Sequence, residues 1–321
     1  MSKQKPLALL ISPQNYNSIH ENGQSIRVES IGKLLESAGY EVLTIHVGRF
    51  AIYKVMRLIS KRRPTILCAV SFIMFPALFG ASLQGTPIWL DFMDSAVLTR
   101  LNGSLLRKLY FKLIEQPCIK LISQKALICS HISELDQTSD ASFLHKKSFV
   151  IPNFLGSSPT PYTQVEPVRF VLIGDLNYRQ NVESARKLVK IREKIGFKVQ
   201  FYGNSRKTSI QRELGNRYAE SLMEMYQIGD IHFCLSTSSA GIKNKVVNAL
   251  LHGIPVISTV AGANGISTSP GLLVLSSDIP IEDQVQHIVN NLQITDREIL
   301  WRGFKIDDSE KLVNVLAELK S

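Results

Sequence analysis

The sequence contains few cysteines and no cysteine or histidine spacing that is typical of a metal site. Four cysteines are spread over 321 residues without a CxxC pair, so the pattern indicates neither a zinc site nor a disulfide framework. We expect them to be small buried hydrophobic residues: Cys68, Cys118, Cys129 and Cys234. A composition of 45% hydrophobic and 20% charged residues gives no sign of disorder and is typical of a soluble globular protein.

The sequence also lacks an uninterrupted apolar run that could cross a membrane. The stretch between Arg63 and Asp91 carries no charge, but prolines and glycines interrupt it. It divides into a strand, a helix and a second strand, a pattern typical of buried parallel strands in α/β proteins. The amino-terminal residues lead directly into the apolar segment 7–12, which is too short for a secretory signal. We therefore expect a cytoplasmic protein.

Acidic residues are in the minority, since 37 lysines and arginines face 27 aspartates and glutamates, for a net charge of +10. Residues 1–153 hold 18 of these cations against 10 acids, whereas the remainder holds 19 against 17. Such an excess favours an anionic partner, although a solvated basic surface would look the same. No RNP-like aromatic pattern, zinc finger or helix-turn-helix is present, so a basic nucleic-acid-binding module is disfavoured and we expect no nucleic acid partner.

Two basic segments lie in the amino-terminal half. In residues 47–63 apolar side chains alternate with lysine and arginine. A helix of this kind can lie on an anionic membrane surface, or it can pack on a sheet with its charged side in water. A second basic helical region, residues 101–121, holds a single acid, Glu115. Peripheral contact with the inner face of a membrane therefore remains an open alternative.

Strands and helices alternate along the chain in the order β-α-β-α-β, and this order occurs twice. It predicts an α/β fold with two Rossmann-like domains, because parallel strands need helical crossovers between them. We place the first domain at residues 1–153, a Ser/Thr/Pro/Gly-rich linker at 154–167 and the second domain at 168–308. A final helix, residues 309–321, could cross back onto the first domain.

The most informative segment of the sequence is residues 239–266. It predicts a loop, a short helix, a turn, a buried strand and a second glycine-bearing loop. Lys243 and Lys245 lie at the predicted helix start, where unpaired backbone amides and the helix dipole favour an anion such as phosphate. The alternative is that the glycines only end the elements and the lysines are solvated.

Several segments together resemble the donor-binding region of retaining GT-B glycosyltransferases of group 1, family 4. They are Gly241-Ile-Lys-Asn-Lys245, Asn248-Ala-Leu-Leu-His-Gly-Ile-Pro-Val-Ile257, Gly262-Ala-Asn-Gly-Ile266, the strand end Ile151-Pro-Asn153 and the pattern Gly174…Asn181. The resemblance implies two Rossmann-like domains facing a cleft. It implies sugar transfer from a nucleotide diphosphate sugar to a glycan, lipid-linked or protein acceptor, with no cofactor and no bound metal.

The resemblance also implies a set of site residues. The donor would be held by Gly23, Gly174, Arg179, Gly203, Arg206, Lys243, Lys245, Asn248, Gly262, Asn264 and Gly265. Lys243 would be catalytic as a cation that stabilises the leaving diphosphate, and Asn248 would meet the ribose. Asp94, at the end of the fourth strand, is the catalytic candidate on the acceptor side. Its alternative role is to cap the following helix, for which the neighbouring Ser95 would also serve.

The sequence departs from the family pattern at three places. Ala240 and Asn248 stand where the family commonly has two glutamates. Asp175 and Gln180 stand where it usually has arginine and lysine, and Met93 lies near the place of a common histidine. These departures support a second hypothesis, a catalytically weak or inactive GT-B subunit that binds an acceptor or supports a partner glycosyltransferase.

Overall fold

The structure, a computed structural model, describes most of the chain. It covers residues 5–13, 23–48, 51–71, 74–101, 104–142, 144, 148–153, 169–205, 208–215, 222–227, 229–291 and 305–320. The predicted linker, residues 154–167, and the predicted site residue Arg206 lie outside these ranges. The chain forms two compact units, an N-terminal unit of Met1–Phe154 with Ile306–Ser321 and a C-terminal unit of Leu155–Lys305.

Strands and helices alternate in both units. The strands of the N-terminal unit are β1 Leu7–Pro13, β2 Glu41–Val47, β3 Ile66–Val70, β4 Ile88–Phe92, β5 Ile128–His131 and β6 Phe149–Val150. The helices that precede β6 are α1 Gly23–Ser37, α2 Ile52–Arg62, α3 Phe75–Leu83, α4 Ala96–Leu101, α5 Leu105–Tyr110, α6 Gln116–Lys125 and α7 Glu134–Asp140. The π-helical turn Phe111–Glu115 joins α5 to α6.

The C-terminal unit repeats this pattern. Its strands are β7 Phe170–Ile173, β8 Val199–Tyr202, β9 Ile231–Cys234, β10 Val256–Thr259 and β11 Leu272–Leu275. Its helices are α8 Arg179–Ile195, α9 Thr208–Leu214, α10 Leu222–Met225, α11 Asn244–Leu251 and α12 Ile281–Asn291. The last helix of the chain, α13 Ser309–Glu318, belongs to the N-terminal unit.

Each unit is built on one parallel sheet, which confirms the predicted α/β fold class. The strand order is β2-β1-β3-β4-β5-β6 in the N-terminal unit and β11-β10-β9-β7-β8 in the C-terminal unit. In the first sheet the chain passes from β1 to β2 on one side and then to β3 on the other. The order thus reverses between β1 and β3, and such a switch point is where open α/β sheets bind ligands. Gly23 begins α1, the next described element after β1.

The uncharged stretch between Arg63 and Asp91 forms the centre of the N-terminal core. All five residues of β3 and all five of β4 are buried, as expected for central strands covered on both faces. Helix α3 lies between them in sequence and contributes Leu78 and Ala81 to the same core. None of the helices in the described parts of the chain is long and apolar enough to cross a bilayer.

Helix α2 uses its apolar side for packing inside the protein. Val55 and Ile59 are buried in the core, and the helix packs against α3. Lys61 and Arg62 lie in its last turn, where cations interact favourably with the helix dipole. Val55 and Ile59, which lie on the apolar side of the amphipathic pattern, are therefore used in packing and are not available to a membrane.

The C-terminal helix α13 packs against α1. Leu312 and Leu316 are fully buried, and the hydroxyl of Tyr40 donates a hydrogen bond of 2.8 Å to the carbonyl of Leu316. Just before the helix, Asp308 pairs with Val150 of β6 through two hydrogen bonds, from Asp308 N to the Val150 carbonyl at 2.8 Å and from Val150 N to Asp308 Oδ2 at 3.0 Å. The end of the chain thus completes the N-terminal core.

A fully buried ion pair joins α1 to β4. Arg27 donates to both carboxylate oxygens of Asp91, with distances of 2.9 Å from Nε to Oδ2 and 2.5 Å from Nη2 to Oδ1, and also to the carbonyl of Ile151. The hydroxyl of Ser130 donates to Asp91 Oδ1 at 2.5 Å and accepts from the Trp89 indole at 2.8 Å. Asp91 therefore has a structural role.

Two histidines of the C-terminal unit flank one aromatic ring. The rings of His232 and His252 lie 5.1 and 5.3 Å from the ring of Tyr226. Burial lowers the pKa of His232, although Asp230, at 3.8 Å, opposes this shift. Burial, and secondarily His232, lowers the pKa of His252. Burial would raise the pKa of Asp230, but hydrogen bonds from the Arg169 guanidinium hold it below its usual value, so this carboxylate stays charged near neutral pH.

We expect the free energy of unfolding to fall as the pH drops below about 6.5, the usual pKa of histidine. In this range the unfolded chain binds more protons at His232 and His252 than the folded chain does, so acidification favours unfolding. Urea unfolding at neutral pH and at a pH about one unit below 6.5 would measure the loss in the free energy of unfolding. The variant His232→Gln with His252→Gln should lose less stability over this interval, and the exposed His287→Gln should lose as much as the parent. An identical loss in the double variant would contradict the assignment.

Candidate functional site

The carboxyl edge of the C-terminal sheet brings two helix starts together. From β7 the chain passes outward to β8 and then returns past β7 to β9, so the strand order reverses between β7 and β9. Helix α8 follows β7 and α11 follows β9, and both begin at this edge, where the positive ends of their helix dipoles lie. A switch point flanked by helix starts is suited to a phosphate group.

Lys245 links these two segments. Its Nζ donates to the carbonyl of Ile173, at the end of β7, at 2.9 Å and to Asn181 Oδ1 at 3.3 Å. Asn181 in turn donates from Nδ2 to the carbonyl of Asp175 at 2.9 Å. These partners of the half-buried ammonium are neutral oxygens, and within the described chain Lys245 forms no ion pair. Its charge is therefore available to an anion at the switch point.

Lys243 lies where the sequence predicts, directly before α11. It is the N-cap residue of that helix, and its side chain does not cap the helix amides. Its Nζ instead donates to the carbonyl of Ala240 and, at 3.3 Å, to that of Gly241. The ammonium thus folds back on the loop after β9 and adds a second positive charge at the start of α11.

Gly174 and Gly203 allow the ends of β7 and β8 to approach closely. The amide of Gly174 donates to the carbonyl of Tyr202 at 3.0 Å. A Cβ atom at Gly203 would lie 1.9 Å from the carbonyl oxygen of Gly174, and one at Gly174 would lie 2.9 Å from Cγ of Asn181. Glycine is required at Gly203, because a Cβ atom there would overlap the backbone of Gly174, whereas at Gly174 it leaves room for the Asn181 amide that contacts Lys245.

Gly262, Asn264 and Gly265 lie in the loop after β10. A Cβ atom at Gly262 would come within 2.6 Å of the carbonyl oxygen of Cys234, at the end of β9. Asn264 Nδ2 donates to the carbonyl of Ser239 at 2.8 Å, which joins this loop to the loop after β9. Gly265 has a φ of 75°, a conformation that favours glycine. The two loops named by the sequence motifs thus form one connected structure.

Arg179 and Asn248 both lie in helices. Arg179 begins α8, but its side chain is 91% exposed and its Nε donates to Glu183 Oε1 at 2.7 Å on the same helix. Asn248 is half-buried on α11, three residues after Lys245. The charge of Arg179 is therefore already balanced, in contrast to that of Lys245.

The predicted acceptor-side residue Asp94 lies between β4 and α4 and is half-buried. The cap of α4 comes from other residues, since Ser95 Oγ accepts from the amide of Leu98 at 3.1 Å. The buried carboxylate of Asp140 accepts from the amides of Ala96 and Val97 at 3.0 and 3.1 Å. The start of α4 is thus occupied by a carboxylate of the chain itself, and Ser95 fills the alternative role considered for Asp94.

Asn181 is not among the predicted site residues, although it ends the Gly174…Asn181 pattern of the resemblance. It orients Lys245 and packs against Gly174, yet it stands 64 positions before Lys245 in the chain. Its signal in the sequence is its position seven residues after Gly174, in the first turn of the following helix. Among the described residues there is no group of three histidine, cysteine, aspartate or glutamate side chains that could hold a metal ion.

Comparison with known proteins identifies the fold. No protein-family model matches the sequence, and no curated protein matches it. A sucrose-phosphate synthase from Thermosynechococcus elongatus matches with a TM-score of 0.67 and 13% identity, over 98% of this chain and 95% of that one. The Anabaena protein HepE, solved in complex with UDP and glucose, matches with a TM-score of 0.61 and 12% identity, over 97% and 95%. A UDP-N-acetylglucosamine 2-epimerase from Rickettsia bellii matches with 0.55 and 12%, over 98% and 95%.

These likenesses show a GT-B fold, as the sequence motifs imply. At 12–13% identity they show the fold alone. The fold is shared by glycosyltransferases and by an epimerase of a nucleotide sugar, so the activity has to be inferred from the site.

Proposed function

We propose that this protein transfers a sugar from a nucleotide diphosphate sugar to a glycan, lipid-linked or protein acceptor, with retention and without a bound metal or cofactor. The observation that carries the proposal is the uncompensated ammonium of Lys245 at the switch point of the C-terminal sheet. It is held by Ile173 and Asn181 beside the start of α11. The Anabaena neighbour solved with UDP and glucose supports a nucleotide sugar as donor.

In this proposal the diphosphate binds against Lys245, Lys243 and the start of α11. Anionic groups at such a position gain from both the helix dipole and the backbone donors. Negative charge builds up on the leaving diphosphate as its bond to the sugar breaks, so fixed cations stabilise the transition state more than the bound donor. The proposed donor site also includes Gly23, Gly174, Arg179, Gly203, Arg206, Asn248, Gly262, Asn264 and Gly265.

The test is a panel of nucleoside diphosphates and their sugar conjugates. A donor that saturates the folded protein should raise the free energy of unfolding by about 2.7 kcal/mol at a concentration of about 100 times Kd. The matching diphosphate should then be released only when an acceptor is present. Absence of any stabilisation across the panel would contradict the proposal, and conversion of the sugar without an acceptor would instead indicate an epimerase.

The variant Asp94→Asn tests the acceptor side in the same assay. It should lower turnover without changing the stabilisation by the donor, because Asp94 belongs to the N-terminal unit and the proposed donor cations to the other. An unchanged rate would remove Asp94 from the proposed catalytic residues.

A specific observation favours the alternative of a weak or inactive subunit. Asp175 stands where the family usually has a cation, and its carboxylate accepts from the amide of Asn177 at 2.9 Å, next to the carbonyl that orients Asn181. This places a negative charge on the loop that borders the proposed diphosphate. An inactive subunit would bind an acceptor without turnover, would show no stabilisation by a nucleoside diphosphate and would copurify with a partner glycosyltransferase.

A further inference from the structure

The segment from α5 to α6 exposes an unusual number of large apolar side chains. Leu105, Leu106 and Leu113 are 73%, 79% and 70% exposed, respectively. Further apolar residues of this segment are more than one third exposed: Leu109, Tyr110, Ile114 and Leu121. Single exposed leucines are ordinary on a protein surface, whereas a contiguous apolar patch marks an interaction site.

The exposed residues form two adjacent rows along the helix. Leu105, Leu109 and Leu113 recur every fourth position, and Leu106, Tyr110 and Ile114 run beside them. Side chains four positions apart lie on one helical face, so the rows make a continuous strip. We call these six residues the leucine strip. Phe111 and Glu115, also four positions apart, are buried and anchor the segment to the unit.

The exposed charges of the segment are all positive. Within 104–125 these exposed cations are Arg107, Lys108, Lys112, Lys120 and Lys125. The single acid, Glu115, is 3% exposed and faces inward, where its carboxylate pairs with Arg100 at 2.9 Å (Nε–Oε2) and 3.2 Å (Nη2–Oε1). The surface of the segment therefore combines apolar side chains with cations and lacks a balancing negative charge.

We propose that the leucine strip docks the N-terminal unit on an anionic lipid bilayer. A helix that lies in the membrane interface inserts an apolar face below the headgroups, while lysine and arginine beside it contact anionic headgroups. Leucines flanked by Arg107, Lys108 and Lys112 supply both components. This surface is distinct from α2, whose apolar residues are used in the core.

A second copy of the chain is a poorer occupant of the strip. A symmetric dimer would place the same surface against itself. Arg107, Lys108 and Lys112 would then face the same three cations of the other copy, and like charges at an interface are destabilising. An anionic bilayer, by contrast, neutralises them. The cations beside the leucine strip thus favour a lipid surface over a second copy of the chain.

The experiment is flotation of the full chain with vesicles of phosphatidylcholine alone or mixed with phosphatidylglycerol, without any nucleotide sugar. The protein should bind the mixed vesicles and bind the neutral ones much more weakly, and high salt should weaken binding to the mixed vesicles. Each cation contributes about fivefold to the affinity for the mixed vesicles. The affinity should therefore fall on the order of 100-fold in the triple variant Arg107→Gln, Lys108→Gln and Lys112→Gln. Changing Leu105, Leu106 and Leu113 to glutamine should lower it by at least about tenfold.

The matched control removes three exposed cations of the other unit, Lys187→Gln, Lys190→Gln and Lys198→Gln. This control lowers the net charge as much as the Arg107/Lys108/Lys112 variant does, and it should still bind the mixed vesicles. All substituted side chains are exposed, so unfolding midpoints should be unchanged.

The proposal is overturned if mixed vesicles are not bound, if the leucine variant binds as well as the parent, or if the control loses as much binding as the leucine variant and the Arg107/Lys108/Lys112 variant. A lipid-free dimer that the leucine variant dissociates would also overturn it, because a second copy would then be the occupant. Since no donor is used, failure here leaves the proposed sugar transfer untouched.

Discussion

Replacing Lys243 and Lys245 together by alanine is expected to weaken binding of a nucleoside diphosphate by about 3–4 kcal/mol, or several hundred-fold. In the proposed function each lysine donates a charge-assisted hydrogen bond to a phosphate oxygen, and neither contacts the nucleoside. Binding of the corresponding nucleoside should therefore change little. Calorimetric titration of both ligands into parent and variant measures the difference directly.

Two further variants serve as controls for this result. Lys190→Ala removes an exposed cation of α8 and should leave the affinity for the diphosphate unchanged. Lys245→Met retains the aliphatic stem but removes the hydrogen bonds to Ile173 and Asn181, so it separates loss of charge from loss of packing. An equal loss of affinity for nucleoside and diphosphate would remove the phosphate assignment from this helix start.

The second large effect is expected at the buried ion pair between Arg27 and Asp91. Arg27→Met leaves the carboxylate of Asp91 without a cation at a position with no exposure to solvent. Removing one partner of a buried pair typically costs about 3–5 kcal/mol of stability. Urea unfolding, followed through the fluorescence of Trp89 near this pair, should show a markedly lower midpoint.

The double variant Arg27→Met with Asp91→Asn should recover part of that loss. Its neutral amide can still accept the hydrogen bond from Ser130 and no longer buries an unpaired charge. Lys33→Met on the same helix is the matched control, because the Lys33–Glu29 pair is about half exposed and such pairs are worth less than about 1 kcal/mol. A loss for Arg27→Met no larger than that of Lys33→Met would show that the buried pair contributes little.

The sequence alone was sufficient for the fold class and for most elements. Mainly apolar runs predict β3 and β4, and helical periodicity predicts α1 and α8, because these patterns arise within a few residues. The boundaries differ slightly. The first helix starts at Gly23, whereas the apolar pattern begins at Ile26, since a helix can begin before its first buried residue.

The lysines and glycines of the candidate site could be located from sequence for the same reason. A lysine at a helix start and a glycine at a strand end are local features. Which groups surround them is not a local feature. Asn181 meets Lys245 because β7 and β9 are neighbours in the sheet, and Arg27 meets Asp91 because the folded sheet brings β4 within reach of the Arg27 side chain, although 64 positions separate each pair.

The two basic segments make the distinction clearest. Residues 47–63 and 101–121 are both rich in basic and apolar side chains. The amphipathic pattern of the first segment made it the stronger candidate for contact with a membrane surface. In the structure, Val55 and Ile59 of α2 enter the core, while Leu105, Leu106 and Leu113 remain exposed. Sequence periodicity thus determined which residues share a face. Only tertiary packing decided which face is covered, because burial depends on contacts between elements that are far apart in the chain.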